Sequence, residues 1–340
     1  MKTSPNFDQQ QFLTFLRQTY EIDFVSLSFI PEGECSYIYH AISSSDQYVV
    51  KVYIDPVVDL QHKMEISVKL RNFLPNVVAP ILTNDGDLTC RFQADLSSYY
   101  LVALFPFIDG ISRWQLWQKD QDFSGDQLRS VAQMIAHLHA ITVDYPVIPK
   151  EDFTRPFCSG IQKIYQDINT FSPTHSYHQL LLIDALKQEQ SLVTSLISRF
   201  EDLVQYAQSG IKTTVITHGD PTSGNLVWNR GGIYLIDWDN MALGTPERDL
   251  TTFTGERFDL FLSVYLRHFQ TDTLDLKLFS YYIHEWVLQE IYEFSERMLK
   301  SNNENQLQHD WQELRQYLPP DFSNLDSRIE AIQRELERGH

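Results

Sequence analysis

Positive charge is scarce in this sequence: 27 Lys and Arg stand against 45 Asp and Glu, a formal net charge of -18. Such a surface repels a phosphate backbone, which excludes nucleic acid as a general partner. It favours a cationic ligand, although ordinary soluble proteins also carry excess carboxylate. Cysteine is nearly absent. The three present, Cys35, Cys90 and Cys158, have no C-x-x-C spacing, so neither a disulfide framework nor a thiolate zinc site is expected. Long uncharged apolar runs are missing, and Met1 to Asp8 lead into no apolar leader core. The expectation is a reduced, cytoplasmic protein without a membrane partner. What is there is a globular composition, 43% hydrophobic and 13% aromatic, long enough for one compact enzyme or two lobes.

The most informative stretch runs from His218 to Asp249. It reads His218-Gly219-Asp220-Pro221-Thr222-Ser223-Gly224-Asn225, then an apolar run from Leu226 to Trp228, a turn from Asn229 to Gly232, and Ile233 to Asp239. Two short β-rich runs about an Asn/Gly turn predict a hairpin. The polar loop before its first strand then lies beside the acids after its second. Asp220 is the candidate to orient a hydroxyl and accept its proton. Asn225 and Asp237 offer oxygens to a divalent cation on phosphate, whose transfer needs negative charge neutralised as well as a nucleophile in line. For any one of these acids a turn cap is the bland alternative; the ordered set of Asp220, Asn225, hairpin and Asp237 is what specifies the chemistry. His218 is expected to pack under the loop and fix its backbone. Asp239 is a second cation ligand or a charge-balancing neighbour, and Asp249 either braces the loop or caps a helix.

Upstream, the pattern predicts a helix over 8–20 with Phe12, Phe15 and Leu16 on one side, then strands over 25–30, 37–41 and 47–53. Between the first two lies Pro31-Glu32-Gly33-Glu34-Cys35-Ser36. The amides around Gly33 and Ser36 can fold over a polyphosphate, or the loop is an ordinary hairpin turn. Lys51 shares a strand face with Val49 and Tyr53. It is either an edge-strand lysine in solvent or an ammonium bridging the first two phosphates of a nucleotide. Glu65, in a helix predicted over 60–73, is the candidate carboxylate to orient it; Asp59 competes but reads better as a cap. Runs 77–82, 88–92 and 99–105 predict further strands. Pro106 to Gly110 is the clearest linker, where Phe105 and Phe107 are expected to give backbone hydrogen bonds to a planar base, or the stretch is a hinge.

The linker divides the chain into an N-terminal nucleotide-binding lobe over 1–106 and a C-terminal catalytic and acceptor-binding lobe over 107–340. Ser124-Gly125-Asp126-Gln127 resembles a capping box before a helix over 128–138. His137 and His139 at its end read as helix-end residues rather than metal ligands. A helical excursion over about 150–210 either walls an acceptor pocket or is a plain helical hairpin. Further helices are predicted over 258–269, 276–298, 309–318 and 325–337, with a polar loop from Ser301 to Asn305. The acids of these segments, Glu256, Asp259, Glu285, Glu290 and Glu293 among them, are expected on solvated faces, with a basic acceptor as the alternative.

On these residues the chain resembles the aminoglycoside phosphotransferase and choline kinase superfamily. The block Ile236-Asp237-Trp238-Asp239 followed by Pro246-Glu247-Arg248-Asp249-Leu250 is similar to its spectinomycin phosphotransferase branch. The resemblance implies an α+β fold, two-lobed and protein-kinase-like, with a small β-rich N-terminal lobe and a larger, mostly helical C-terminal one. It implies transfer of the γ-phosphoryl group of ATP, with Mg²⁺, to a hydroxyl of a small cationic aminocyclitol or aminoglycoside such as spectinomycin; GTP is the alternative donor. Asp220 then matches the catalytic-loop base, Asn225 and Asp237 the magnesium ligands, Lys51 the phosphate-pairing lysine and Glu65 its helix partner. The single Gly33 departs from a repeated-glycine phosphate loop. No acceptor motif identifies spectinomycin, so a kinase for a metabolic amino alcohol, sugar or other small hydroxylated compound is the alternative. A protein kinase is disfavoured because no activation segment follows Asp237, and a nucleotide-binding pseudokinase because Lys51, Asp220, Asn225 and Asp237 are all present. Monomer and homodimer stay open.

Overall fold

The computed structural model describes residues 4–31, 33, 36–53, 60–94, 99–142, 148–168, 176–210, 212–269 and 274–338. Its N-terminal region is a small antiparallel sheet and the remainder is mostly helical, the α+β class expected. The chain separates into two compact units. One comprises 1–150, 215–243 and 264–269; the other comprises 151–214, 244–263 and 270–340. No described helix is long and apolar enough to cross a membrane, and Cys90 and Cys158 carry free thiols.

In the first unit, α1 (Gln9–Tyr20) begins where Asp8 accepts a hydrogen bond from the Gln11 amide, and ends at Glu21 in the left-handed conformation. Phe12, Leu16 and Tyr20 recur every fourth position, so they form one buried stripe. That stripe joins the core of a five-stranded sheet built from β1 (Phe24–Ile30), β2 (Ser36–Ser43), β3 (Gln47–Tyr53), β4 (Cys90–Gln93) and β5 (Tyr99–Pro106). The spatial order is β1-β2-β3-β5-β4, with every pair antiparallel. Along β3 the side chains alternate between faces. Val50 and Val52 enter the core with Phe12 and Leu16. Lys51 and Tyr53 stand on the opposite face, where Tyr53 packs with Leu60 and Met64 of α2 (Leu60–Leu70).

Two expectations change here. Lying between β2 and β5, β3 is a central strand, so Lys51 is not an edge lysine. Residues 77–82 make only isolated bridges, Val77 with Leu235 and Ile81 with Leu104, because Pro80 has no amide to continue a ladder. Further along come β6 (Ile111–Ser112), α3 (Arg113–Trp117), α4 (Gly125–Ala140), β7 (Val215–Thr217), β8 (Leu226–Asn229), β9 (Gly232–Leu235) and β10 (Ala242–Gly244). The sheet order is β6-β8-β9, and β7 pairs with β10. The expected capping box between Ser124 and Gln127 opens α4.

The second unit is helical, built from Pro156–Asp167, Tyr177–Gln208, Glu247–Leu250, most of Phe258–His268, Leu276–Lys300, Glu304–Leu314 and Phe322–Arg338. Asn303 accepts a hydrogen bond from the Gln306 amide and caps Glu304–Leu314. The polar loop expected up to Asn305 is therefore shorter, and the helix starts before the predicted residue 309. Glu285, expected on a solvated face, is instead largely buried and pairs with Arg155. Glu151 accepts from Arg155 Nη2 at 2.6 Å and from the Tyr282 hydroxyl at 2.5 Å. Glu247 accepts from the Asp275 amide at 2.7 Å.

Two outcomes follow from this packing. Phe12 is 0% exposed, and Phe12→Ala is expected to lower the unfolding free energy by about 3–5 kcal/mol; urea denaturation measures it, and a negligible loss would contradict the stated core. Burial pushes the carboxyls of Glu247 and Glu285 up to about 7 from 4.5. A raised carboxyl holds its proton more tightly in the folded chain, so its stabilising contribution is full below 4.5 and is lost as pH rises through about 7. Glu247→Gln, which cannot ionise, is expected to reduce the fall of the urea midpoint between about pH 5 and about pH 8. An unchanged slope would place no titrating burden on Glu247.

Candidate functional site

The hairpin is formed as the sequence pattern expects. Its register pairs Leu226 with Leu235, Val227 with Tyr234, Trp228 with Ile233 and Asn229 with Gly232. Gly232 takes φ 119°, a backbone state that L side chains rarely adopt, and Asn229 Oδ1 accepts from the Gly231 amide at 2.7 Å. One step beyond the ladder, the Ile236 amide donates to the Asn225 carbonyl at 3.0 Å. The backbone of Asn225 is thereby held beside the residue that precedes Asp237. The Asn225 side-chain nitrogen donates to the Asp220 carbonyl and to Asp220 Oδ2, both at 2.9 Å. With the nitrogen committed to Asp220, the amide oxygen is the acceptor that Asn225 has left to offer.

His218, 0% exposed, fastens the loop to the end of β9. Its Nδ1 accepts from the Asp220 amide at 3.2 Å and its Nε2 lies 3.0 Å from the Ile236 carbonyl. An amide can only donate, so Nε2 carries the proton and donates to Ile236. The Trp238 ring meets the imidazole edge-on at 4.6 Å and 70°. Between His218 and Asp220, Gly219 takes φ 86°, which turns the chain so that one histidine reaches both backbones.

The acids after the hairpin converge on β3. Lys51 Nζ donates to Asp237 Oδ1 at 2.7 Å and to Asp239 Oδ2 at 2.6 Å. The Tyr53 hydroxyl donates to Asp239 Oδ1 at 3.2 Å, and Lys63 Nζ of α2 donates to the Asp239 carbonyl at 2.7 Å. Asp237 itself is left-handed, φ 66° and ψ 73°, and opens the 3₁₀ turn Trp238–Asn240. Burial alone would lower the Lys51 pKa, but the two carboxylates more than reverse that and raise it. Desolvation around the Asp237 carboxylate, whose side chain is still 39% exposed, would raise it, yet the Lys51 charge holds it below the usual carboxylate range. Asp239 is raised by burial, opposed by Lys51 and reinforced by the Asp237 charge. On acidification Asp239 therefore takes a proton before Asp237 does.

The structure thus brings together Lys51, Asp237 and Asp239, and separately Asp220, Asn225 and His218, with the Asn225–Ile236 bond joining the two sets. It does not bring Glu65 to Lys51. Glu65 lies on the exposed face of α2, accepting from Gln61 at 3.1 Å, while the buried stripe of that helix is Leu60, Met64, Ile66, Ser67 and Leu70. Its competitor Asp59 lies outside the described residues. Gly33 approaches Ser36 so closely that a Cβ would sit 2.3 Å from the Ser36 carbonyl oxygen. Ser36 is buried at the start of β2; Glu32, Glu34 and Cys35 are outside the described residues. Phe105 pairs with Val49 in the sheet, and the Phe107 amide, expected as a donor to a base, donates to the Gln47 carbonyl at 3.1 Å. Asp249 belongs to the second unit and is fully buried in the helix Glu247–Leu250.

Lys63 and Tyr53 are contacts the sequence reading missed as partners of the acids. Tyr53 carried a signal, since two residues after Lys51 on a strand is the same face. Lys63 carried little, because helical periodicity ranks faces without naming what they meet.

A model of the phosphotransferase enzyme family matches residues 26–282. No curated protein matches the chain by sequence. Among solved structures, spectinomycin phosphotransferase APH(9)-Ia in complex with ADP and spectinomycin has a TM-score of 0.76 at 20% identity, covering 96% of this chain and 100% of that one. A microcompartment-associated aminopropanol kinase has a TM-score of 0.61 at 13% identity, covering 98% of each chain. Amicoumacin kinase hAmiN, in complex with AMP-PNP, Ca²⁺ and Ami, has a TM-score of 0.57 at 14% identity, covering 94% of this chain and 97% of that one. Likeness at these identities establishes the fold, which is that of small-molecule kinases.

His218→Ala removes both loop bonds at a buried position, with an expected cost of about 1–3 kcal/mol. Thermal unfolding together with amide exchange at Asp220 checks this; protection of that amide unchanged from wild type would sink the assignment.

Proposed function

Because this chain belongs to the phosphotransferase enzyme family, as a small-molecule kinase, we propose that it moves the γ-phosphoryl group of ATP to a hydroxyl of a small cationic acceptor, with Mg²⁺. The observation that carries the reading is the hydrogen-bonded unit of Asp220 and Asn225, tied through Ile236 to the Asp237–Lys51 pair. Asp220 orients the acceptor hydroxyl and receives its proton, and Asn225 keeps that carboxylate in place. The fit of Mg²⁺ rests on the donor chemistry: a carboxylate at Asp237 whose side chain is 39% exposed, and the amide oxygen that Asn225 has left. These hard oxygens match a cation commonly held by one or two carboxylates and shared with phosphate. Bound there, Mg²⁺ would neutralise charge on the phosphates. Lys51 supplies an ammonium to the same phosphates, Phe105 and Phe107 are assigned to the base, and Gly33 and Ser36 to the phosphates. Asp239 balances Lys51.

The charge of -18 favours an acceptor bearing ammonium groups. A relative of the same fold was solved with ADP and spectinomycin, which supports an aminocyclitol as first choice. The test is an acceptor panel with Mg²⁺ and either ATP or GTP, including spectinomycin, amino alcohols and neutral sugars, followed by mapping of the phosphorylated hydroxyl. Transfer is expected to the cationic acceptors. Asp220→Asn is expected to lower kcat by about 10²–10⁴-fold with a smaller effect on nucleotide binding. Near-wild-type turnover of that variant with a proven acceptor would remove Asp220 from its role.

A further inference from the structure

Lys63 occupies a place that none of the roles above assigns. It projects from α2, whose Leu60 and Met64 are packed against Tyr53 on the Lys51 face of the sheet. Its ammonium donates to the main-chain carbonyl of Asp239 at 2.7 Å. The 3₁₀ turn closes through the Met241 amide on the Trp238 carbonyl, and the Trp238 indole nitrogen bonds the Leu235 carbonyl. The turn's own closing bond thus uses the Trp238 carbonyl, and the Asp239 carbonyl takes its donor from α2. The turn also starts from a left-handed Asp237, a conformation that costs an L residue free energy and is kept only where the surroundings hold it. Asp239 is gripped at three points: Lys51 on one carboxylate oxygen, Tyr53 on the other and Lys63 on the backbone.

We propose that Lys63 is a positioning residue for the cation-binding carboxylate, holding the Asp237–Asp239 turn from α2 through the Asp239 backbone carbonyl. This rests on the reading of Asp237 as a Mg²⁺ ligand. Lys63 replaces, with an amine on a backbone oxygen, the Glu65–Lys51 link that the sequence led us to expect between this helix and the site. Groups that orient a metal ligand without touching the metal commonly change metal affinity by about 10–100-fold when removed.

Lys63→Met keeps the aliphatic stem and deletes the donor; Lys63→Arg restores a donor. ADP binding to the full chain, titrated calorimetrically at increasing Mg²⁺ and in its absence, reads the effect without turnover. Lys63→Met is expected to raise the Mg²⁺ concentration for half-maximal enhancement of ADP binding by roughly tenfold. Metal-free ADP binding is expected to stay close to wild type, and Lys63→Arg to recover most of the loss. A merely structural lysine would weaken both kinds of binding alike, and that result overturns the inference, as does a Mg²⁺ dependence equal to wild type. Should Lys63→Met not fold, Lys63→Gln is read by the same criteria. If wild-type ADP binding is itself indifferent to Mg²⁺, the assignment of Asp237 to the cation falls, and the role of Lys63 with it.

Discussion

One buried ammonium sets the terms for the first unit. Lys51 is 9% exposed on a central strand, and a lone charge so placed would be driven toward its neutral form. Two carboxylates keep it charged, and both come from a turn 186 and 188 residues further along the chain. Much of the surrounding packing serves that meeting. Val50 and Val52 root the strand on one face, while Tyr53 seats α2 on the other. His218 and the β8–β9 pairing fix where the Asp237 turn begins. The charge pattern is thus upheld by apolar packing on both faces of the strand and by hydrogen bonds where the Asp237 turn begins.

Much of this was legible in the residues. Alternation along Tyr48 to Tyr53 placed Lys51 and Tyr53 on one face, and the Asn/Gly turn gave the hairpin and therefore the nearness of Asn225 and Asp237. The histidine's place under the loop followed from the kinase-like arrangement that the motif resembles, and its ring accepts from the Asp220 amide. What failed depended on long-range register. Glu65 sits at the right distance along the chain from Lys51, but the apolar stripe of α2 turns it outward and brings Lys63 to the site instead. The Phe107 amide looked open because nothing local reveals that Gln47 will claim it. The run 77–82 was apolar enough for a strand, and Pro80 denied it the ladder.

The second unit shows a different use of the same residue types. An excess of acid in the sequence reads first as a solvated surface, yet Glu151, Glu247 and Glu285 are carried inside among arginine, tyrosine and backbone donors. Glu151 accepts from Arg155 and from the Tyr282 hydroxyl. Burial pushes Glu247 and Glu285 toward neutrality. Composition counts carboxyls, whereas burial decides how many of them are charged.

The saturation of Lys51 has a consequence for whatever anion it meets. A phosphate arriving at this ammonium finds the seat already taken by two tethered oxyanions at short range, so it must share or evict them. Internal rivals of this kind weaken capture of every polyanion alike and leave neutral molecules untouched. They also act selectively with acidity, because the incumbent that protonates more readily is Asp239. As the medium is acidified, Asp239 is therefore loosened before Asp237.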